Sequence, residues 1–69
     1  MKDLEVKFHF FGARFRGLTI RFPNGKTSHF SNSLSDLNLA RNAILAFYQK
    51  AGTPSKAVIL VQHIKSVSR

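Results

Sequence analysis

Hydrophobic and polar residues alternate from the first few positions of the chain. Leu4, Val6, Phe8 and Phe10 fall on one face of an extended segment, with Glu5, Lys7 and His9 on the other. A period of two reads as a half-buried strand over about 4–11. The segment Gly12-Ala13-Arg14-Phe15-Arg16-Gly17 interrupts it, bracketed by glycines, and reads as a turn or bulged connection. Alternation resumes over about 17–22, with Leu18, Ile20 and Phe22 opposite Thr19 and Arg21.

Pro23-Asn24-Gly25 is the strongest turn signal. A two-residue Asn-Gly loop would pair Ile20 with His29 and Thr19 with Phe30, which mixes the faces. A three-residue loop, with proline second in a type I turn and Gly25 left-handed in a bulge, pairs Leu18 with Phe30 and Ile20 with Ser28. Thr19, Arg21, Thr27 and His29 then share the opposite face, and the third strand runs over about 26–31. The register follows from the pattern, because a one-residue slip would invert every side chain.

A helix over about 35–51 is expected next. Ser35 is its candidate N-cap, and Asp36 sits where the helix dipole favours negative charge. Leu37, Ala40, Ile44, Phe47 and Ala51 recur at helical spacing, with Tyr48 on the flank and Leu39, Ala43 and Ala46 widening the stripe. Gly52 followed by Pro54 marks a stop. Leu45 falls among Asn38, Arg41, Asn42 and Gln49 on the polar side, which favours a dimer in so short a chain. Thr53-Pro54 offers a second helix start. The β-branched run Val58-Ile59-Leu60-Val61 instead favours a buried strand over about 57–64. The expected fold is one α+β domain over 1–69, an antiparallel sheet of three to four strands packed on one helix in the order β-β-β-α-β.

With 69 residues the core is small and stability is marginal. There is no cysteine, so disulfides and thiolate metal sites are excluded. At 43% hydrophobic the chain is too apolar for a disordered tail. No apolar run approaches the 18 or so residues of a membrane span, and the N-terminus lacks the apolar core of a signal peptide. A cytoplasmic location and no membrane partner are the expectation.

Catalysis finds little to work with. The acids are Asp3, Glu5 and Asp36, the first two alternating on one strand and the third at a helix start. Paired carboxylates flanking one bond are not in prospect. His9, His29 and His63 lack the close spacings of metal sites, and no glycine-rich phosphate cradle occurs. The serines at 28, 31, 33 and 35 read as caps. No catalytic residue, metal ligand or cofactor is therefore assigned, and the chain is not expected to be an enzyme. His9 and His29 do meet across the polar face if the strands are read correctly, which suits a hydrogen-bonding or phosphate role.

Charge says more. Lysine and arginine number 11 against 3 acids, a net +8, and no acid lies between Val6 and Ser35. That stretch carries Lys7, Arg14, Arg16, Arg21 and Lys26. Lys7, Thr19, Arg21, Thr27 and His29 share the face away from the helix, with Arg14 and Arg16 at one end and Lys26 at the other. Such a face suits a nucleic-acid backbone, where cations take phosphates and neutral donors add hydrogen bonds. A ribbon of strands also fits the major groove. Phe11 and Phe15 lie outside the inward set beside these arginines; they either fill the sheet edge or stack on unpaired bases.

Positions 4–51, read as three strands with a Pro-Asn-Gly-Lys hairpin running into a helix, resemble a known module. It is the small arm-site DNA-binding domain at the N-terminus of tyrosine recombinases of the phage-integrase type. The similar stretch is Phe15-Arg16-Gly17-Leu18-Thr19-Ile20-Arg21-Phe22-Pro23-Asn24-Gly25-Lys26-Thr27. The resemblance implies a sheet lying in the major groove, with Arg16, Thr19, Arg21, Lys26 and Thr27 as contacts. The apolar segment Ala57–Ile64 has no counterpart in that module and no recombinase catalytic domain follows, so an accessory or regulatory binder is expected. DNA is favoured over RNA as partner, and a homodimer over a monomer. The alternative is a protein-interaction module or inhibitor that docks on an acidic protein through the 57–64 strand or the helix face near Leu45.

Overall fold

A computed structural model describes residues 3–68. Three strands, β1 (Glu5–Phe11), β2 (Arg14–Arg21) and β3 (Thr27–Ser31), form one antiparallel sheet in the order β1-β2-β3. Two helices follow, α1 (Leu34–Ala51) and α2 (Pro54–Val67), giving a two-layer α+β fold in the order β-β-β-α-α. The fourth strand expected over 57–64 is therefore a helix.

Both hairpins take their shape from glycine. Gly12-Ala13 alone forms the β1–β2 turn, with φ of +62° at Gly12, and the register closes with Phe11 opposite Arg14. The interruption expected over 12–17 is thus mostly strand. The second glycine serves a different purpose. Between His9/Phe10 and Gly17/Phe15 the register slips, leaving Arg16 as an extra residue in β2. This bulge reverses the alternation of β2, which is why Phe15 is only 8% exposed although simple counting from Leu18 turns it outward.

The β2–β3 hairpin matches the three-residue loop. The Phe22 N–H donates to the Lys26 carbonyl (2.8 Å) and the Gly25 N–H to the Phe22 carbonyl (2.9 Å), with Gly25 at φ +93°. Leu18 pairs with Phe30, Thr19 with His29, Ile20 with Ser28 and Arg21 with Thr27, as the face argument requires.

Helix α1 starts one residue earlier than expected, and its N-cap is Ser33 rather than Ser35. The Ser33 hydroxyl accepts from the Asp36 N–H at 3.2 Å. Asp36 reaches back to accept from the Ser31 N–H at 2.8 Å, which ties the end of β3 to the first turn of the helix. At the other end Gly52 is left-handed, with its N–H on the Gln49 carbonyl and the Thr53 N–H on the Tyr48 carbonyl. This paired closure ends a helix cleanly. Pro54 then opens α2 at a position where a missing N–H costs nothing.

The two helices pack on each other and on one face of the sheet. Leu18, Ile20, Ile44 and Ile64 are fully buried between the layers, joined by Leu4, Phe15, Leu37, Ala40, Tyr48 and Ala57. Burying each large side chain contributes about 1.5–3 kcal/mol. Phe47 meets Phe22 edge-on at 6.1 Å, and His63 of α2 lies 4.7 Å from the Phe8 ring of β1. Tyr48 Oη accepts from the Leu4 N–H (3.1 Å) and donates to Asp3 (3.4 Å), which also pairs with Lys56 at 3.1 Å. Leu39 and Ala46 face solvent rather than widening the buried stripe.

Candidate nucleic-acid interface

Because both helices cover one face of the sheet, the other is left open. The register places Glu5, Arg21 and Thr27 in one row across the three strands and Lys7, Thr19 and His29 in the next. Phe11 and Arg14 face each other at the hairpin end. Lys7, His9, Thr19, Arg21, Thr27 and His29 line a groove of about 400 Å³, together with Glu5 and Val6.

Five of the residues expected to act together, Lys7, Thr19, Arg21, Thr27 and His29, do share this surface. Arg14 lies at its hairpin end. Arg16, the extra residue of the bulge, is exposed. Lys26 sits at the opposite end in the β2–β3 turn, where its N–H donates to the Asn24 side chain at 2.9 Å. The arrangement puts cations at both ends and in the middle of one face.

Three residues join the surface beyond that set. His9 bonds through Nε2 to the Thr19 hydroxyl at 2.7 Å, and the same hydroxyl lies 2.9 Å from His29 Nδ1. Alternation had already placed His9 on this face; the contact with Thr19 is diagonal and needs the register to be seen. Phe11 is 76% exposed and continues the Lys7–His9 row, whereas Phe15 is buried, so the two aromatics beside the arginines part company. Glu5 brings one acid to the far end of the face, opposite Arg21. Among the described residues, the ion pair is Asp3 with Lys56, which leaves Lys7, Arg14, Arg16 and Arg21 without a carboxylate partner.

The remaining acid, Asp36, is placed elsewhere and occupied. Asp36 accepts from the Ser31 N–H, and that bond, with a smaller share from the Ser31 hydroxyl, holds its carboxyl below the usual aspartate range. Among the described residues no three His, Cys, Asp or Glu side chains come together, and no helix is long and apolar enough to cross a membrane. Set against protein-family models, curated proteins and solved structures, the chain finds no match.

Proposed function

We propose that this chain is a nucleic-acid-binding protein, a DNA-binding accessory or regulatory factor that works from the cytoplasm and uses the open face of its sheet. The observation that supports this reading is the uncovered face that carries Lys7, Thr19, Arg21, Thr27 and His29, flanked by Arg14 and Arg16, with no carboxylate paired to these cations among the described residues. Phosphate contacts of this kind fix a protein on a duplex, and an arginine in the groove reads guanine. The likeness of residues 4–51 to an integrase arm-site domain points the same way. A binding rather than a catalytic role fits the acids, of which Asp3 pairs with Lys56 and Asp36 accepts from the Ser31 N–H.

Self-association belongs to the same proposal. Leu39, Val58 and Ile59 are exposed on the helical layer, so two copies joined through their helices would leave both sheet faces free. Light scattering should then give twice the chain mass, and Ile59→Lys should return it to one. The competing reading, docking on an acidic protein, loses its edge strand now that 57–64 is helical, and keeps only the helix face near Leu45.

The test is binding of a labelled duplex against salt. With about four to six phosphates neutralised per chain, log K should fall by roughly 0.9 per contact for each tenfold rise in salt. Arg14→Ala with Arg16→Ala should weaken every duplex alike, and Arg21→Ala should alter sequence preference. A double variant that binds all probes as well as wild type would place the surface elsewhere.

A further inference from the structure

We propose that the β1–β2 hairpin end of the open face is a seat for an unpaired base, so that the protein prefers a DNA duplex adjoining a single strand to an intact duplex. The inference rests on the nucleic-acid reading and deepens it by naming the class of DNA.

The two ends of the face differ in chemistry. Phe11 and Arg14 form the row nearest the Gly12-Ala13 turn, and Glu5, Arg21 and Thr27 form the farthest. Phe11 is six residues along β1 from Glu5, roughly 20 Å at the usual rise of a strand. Asp3 and Glu5 stand at the far end, where they line a groove with Arg21. The hairpin end carries Arg14 and Arg16, neither paired with a carboxylate among the described residues. The bulge in β2 puts them there. Alternation counted from Leu18 would turn both arginines inward and Phe15 outward; the extra residue buries Phe15 and leaves Arg14 and Arg16 exposed.

Phe11 is the apolar exception on this cationic end. It is 76% exposed, and among the described residues its ring meets no other. The adjacent Phe10 turns to the other face and meets Phe15 edge-on at 5.8 Å, so Phe10 is spent on packing and Phe11 is not. As cross-strand partners, Phe11 and Arg14 have their Cβ atoms roughly 5 Å apart.

A ring with a free face stacks on any base, because every base has a π-face. The Arg14 guanidinium beside it is placed to take the phosphate of the same nucleotide, a charge-assisted pairing. In an intact duplex the base faces are covered by neighbouring pairs, and opening a step to admit a side chain costs unstacking energy. An unpaired nucleotide offers its face without that cost. Lys7, Thr19 and His29, in the middle of the face, carry polar groups suited to phosphates instead. A duplex over the middle rows with a single strand leading off across the hairpin satisfies both parts at once. Asp3 and Glu5 disfavour the reverse orientation, which would run the single strand over the acids.

The experiment compares labelled probes built on one duplex: blunt, with a short single-stranded overhang, and with an abasic overhang of the same length. The abasic overhang keeps the phosphates and removes the bases, so charge drops out of the comparison. Wild type should bind the base-bearing overhang about tenfold more tightly than the abasic one. Phe11→Ala and Phe11→Leu should both lose that difference while keeping wild-type affinity for the blunt duplex. Phe11 is exposed, so the fold does not depend on it, and leucine keeps apolar bulk without a ring. The chain has no tryptophan, so Phe11→Trp supplies a single reporter. Its fluorescence should be quenched by the base-bearing overhang and not by the abasic one. Equal wild-type affinity for the two overhangs, or a Phe11→Leu variant that keeps the difference, would overturn the inference and leave duplex binding intact. A dimer that Phe11→Ala converts to a monomer would assign the ring to self-association and overturn it as well. If no probe binds at any salt concentration, the nucleic-acid reading fails and the inference with it.

Discussion

Gly17 lies at φ +150°, and a methyl group there would come within 2.3 Å of the Phe30 carbonyl oxygen on β3. The neighbour is backbone, so relief requires moving a strand. Gly12 has the more obviously left-handed φ of +62°, yet nothing lies within 4 Å of its missing methyl. Gly12→Ala should therefore cost only the left-handed penalty, about 1–2 kcal/mol. Gly17→Ala should cost about 2–4 kcal/mol, combining overpacking with backbone strain. Urea unfolding of the two variants checks this order, and equal costs would mean that the bulge is not as described. Asp36 gives a pH-dependent counterpart. Its carboxyl is held below the usual range by the Ser31 N–H, so its stabilising effect is complete above the ordinary aspartate pKa of about 3.9 and is lost as the pH falls through the lower folded value. Asp36→Asn should lower Tm at pH 7 and match wild type once the pH is well below 4. A gap that persists in strong acid would remove the charge from the explanation.

At the scale of elements, the β2–β3 hairpin was legible because two constraints agreed. Pro23-Asn24-Gly25 sets the loop, and of the two- and three-residue loops only the latter keeps Leu18 and Ile20 on the same side as Phe30. The β1–β2 connection was less so, since nothing local in Arg14-Phe15-Arg16 announces a bulge; the demand to bury Phe15 sets it. The β-branched run Val58–Val61 favours a strand where helix α2 stands. Two signals opposed that reading: Pro54 at a helix start, and Ala57, Leu60, Val61, Ile64 and Val67 at spacings of three and four. Those are the positions that α2 buries or half-buries. Packing against α1 outweighs the weak helix propensity of valine and isoleucine, which amounts to tenths of a kcal/mol per residue. Ile64→Ala should therefore destabilise the fold about as much as Ile44→Ala, by about 2–5 kcal/mol each in denaturant unfolding. A loss at Ile64 far below that at Ile44 would show that α2 is not part of the core.

For the whole molecule, the division into a helical layer and an open sheet face determines where a partner can act. The helices bury the inner side of β2 and half-bury those of β1 and β3, and the alternation delivers Lys7, Thr19, Arg21, Thr27 and His29 to the other side, so most of the candidate surface could be read from the sequence. What could not be read depended on cross-strand placement: the diagonal His9–Thr19 bond, the burial of Phe15 and the exposure of Phe11. An exposed phenylalanine on a basic face is a platform for base stacking, worth about 1–3 kcal/mol per base. Phe11→Ala should then weaken binding of single strands by about tenfold or more while changing the fold little. Equal affinities of wild type and variant for a single-stranded probe would leave the exposed ring without that role. The most direct measurement is a map of backbone amide shifts as a short duplex is titrated into the labelled protein. The account predicts shifts confined to β1, β2 and β3 and to the two turns that join them, saturating together and reversed by salt. Shifts concentrated on the exposed sides of α1 and α2, with the sheet unmoved, would contradict it.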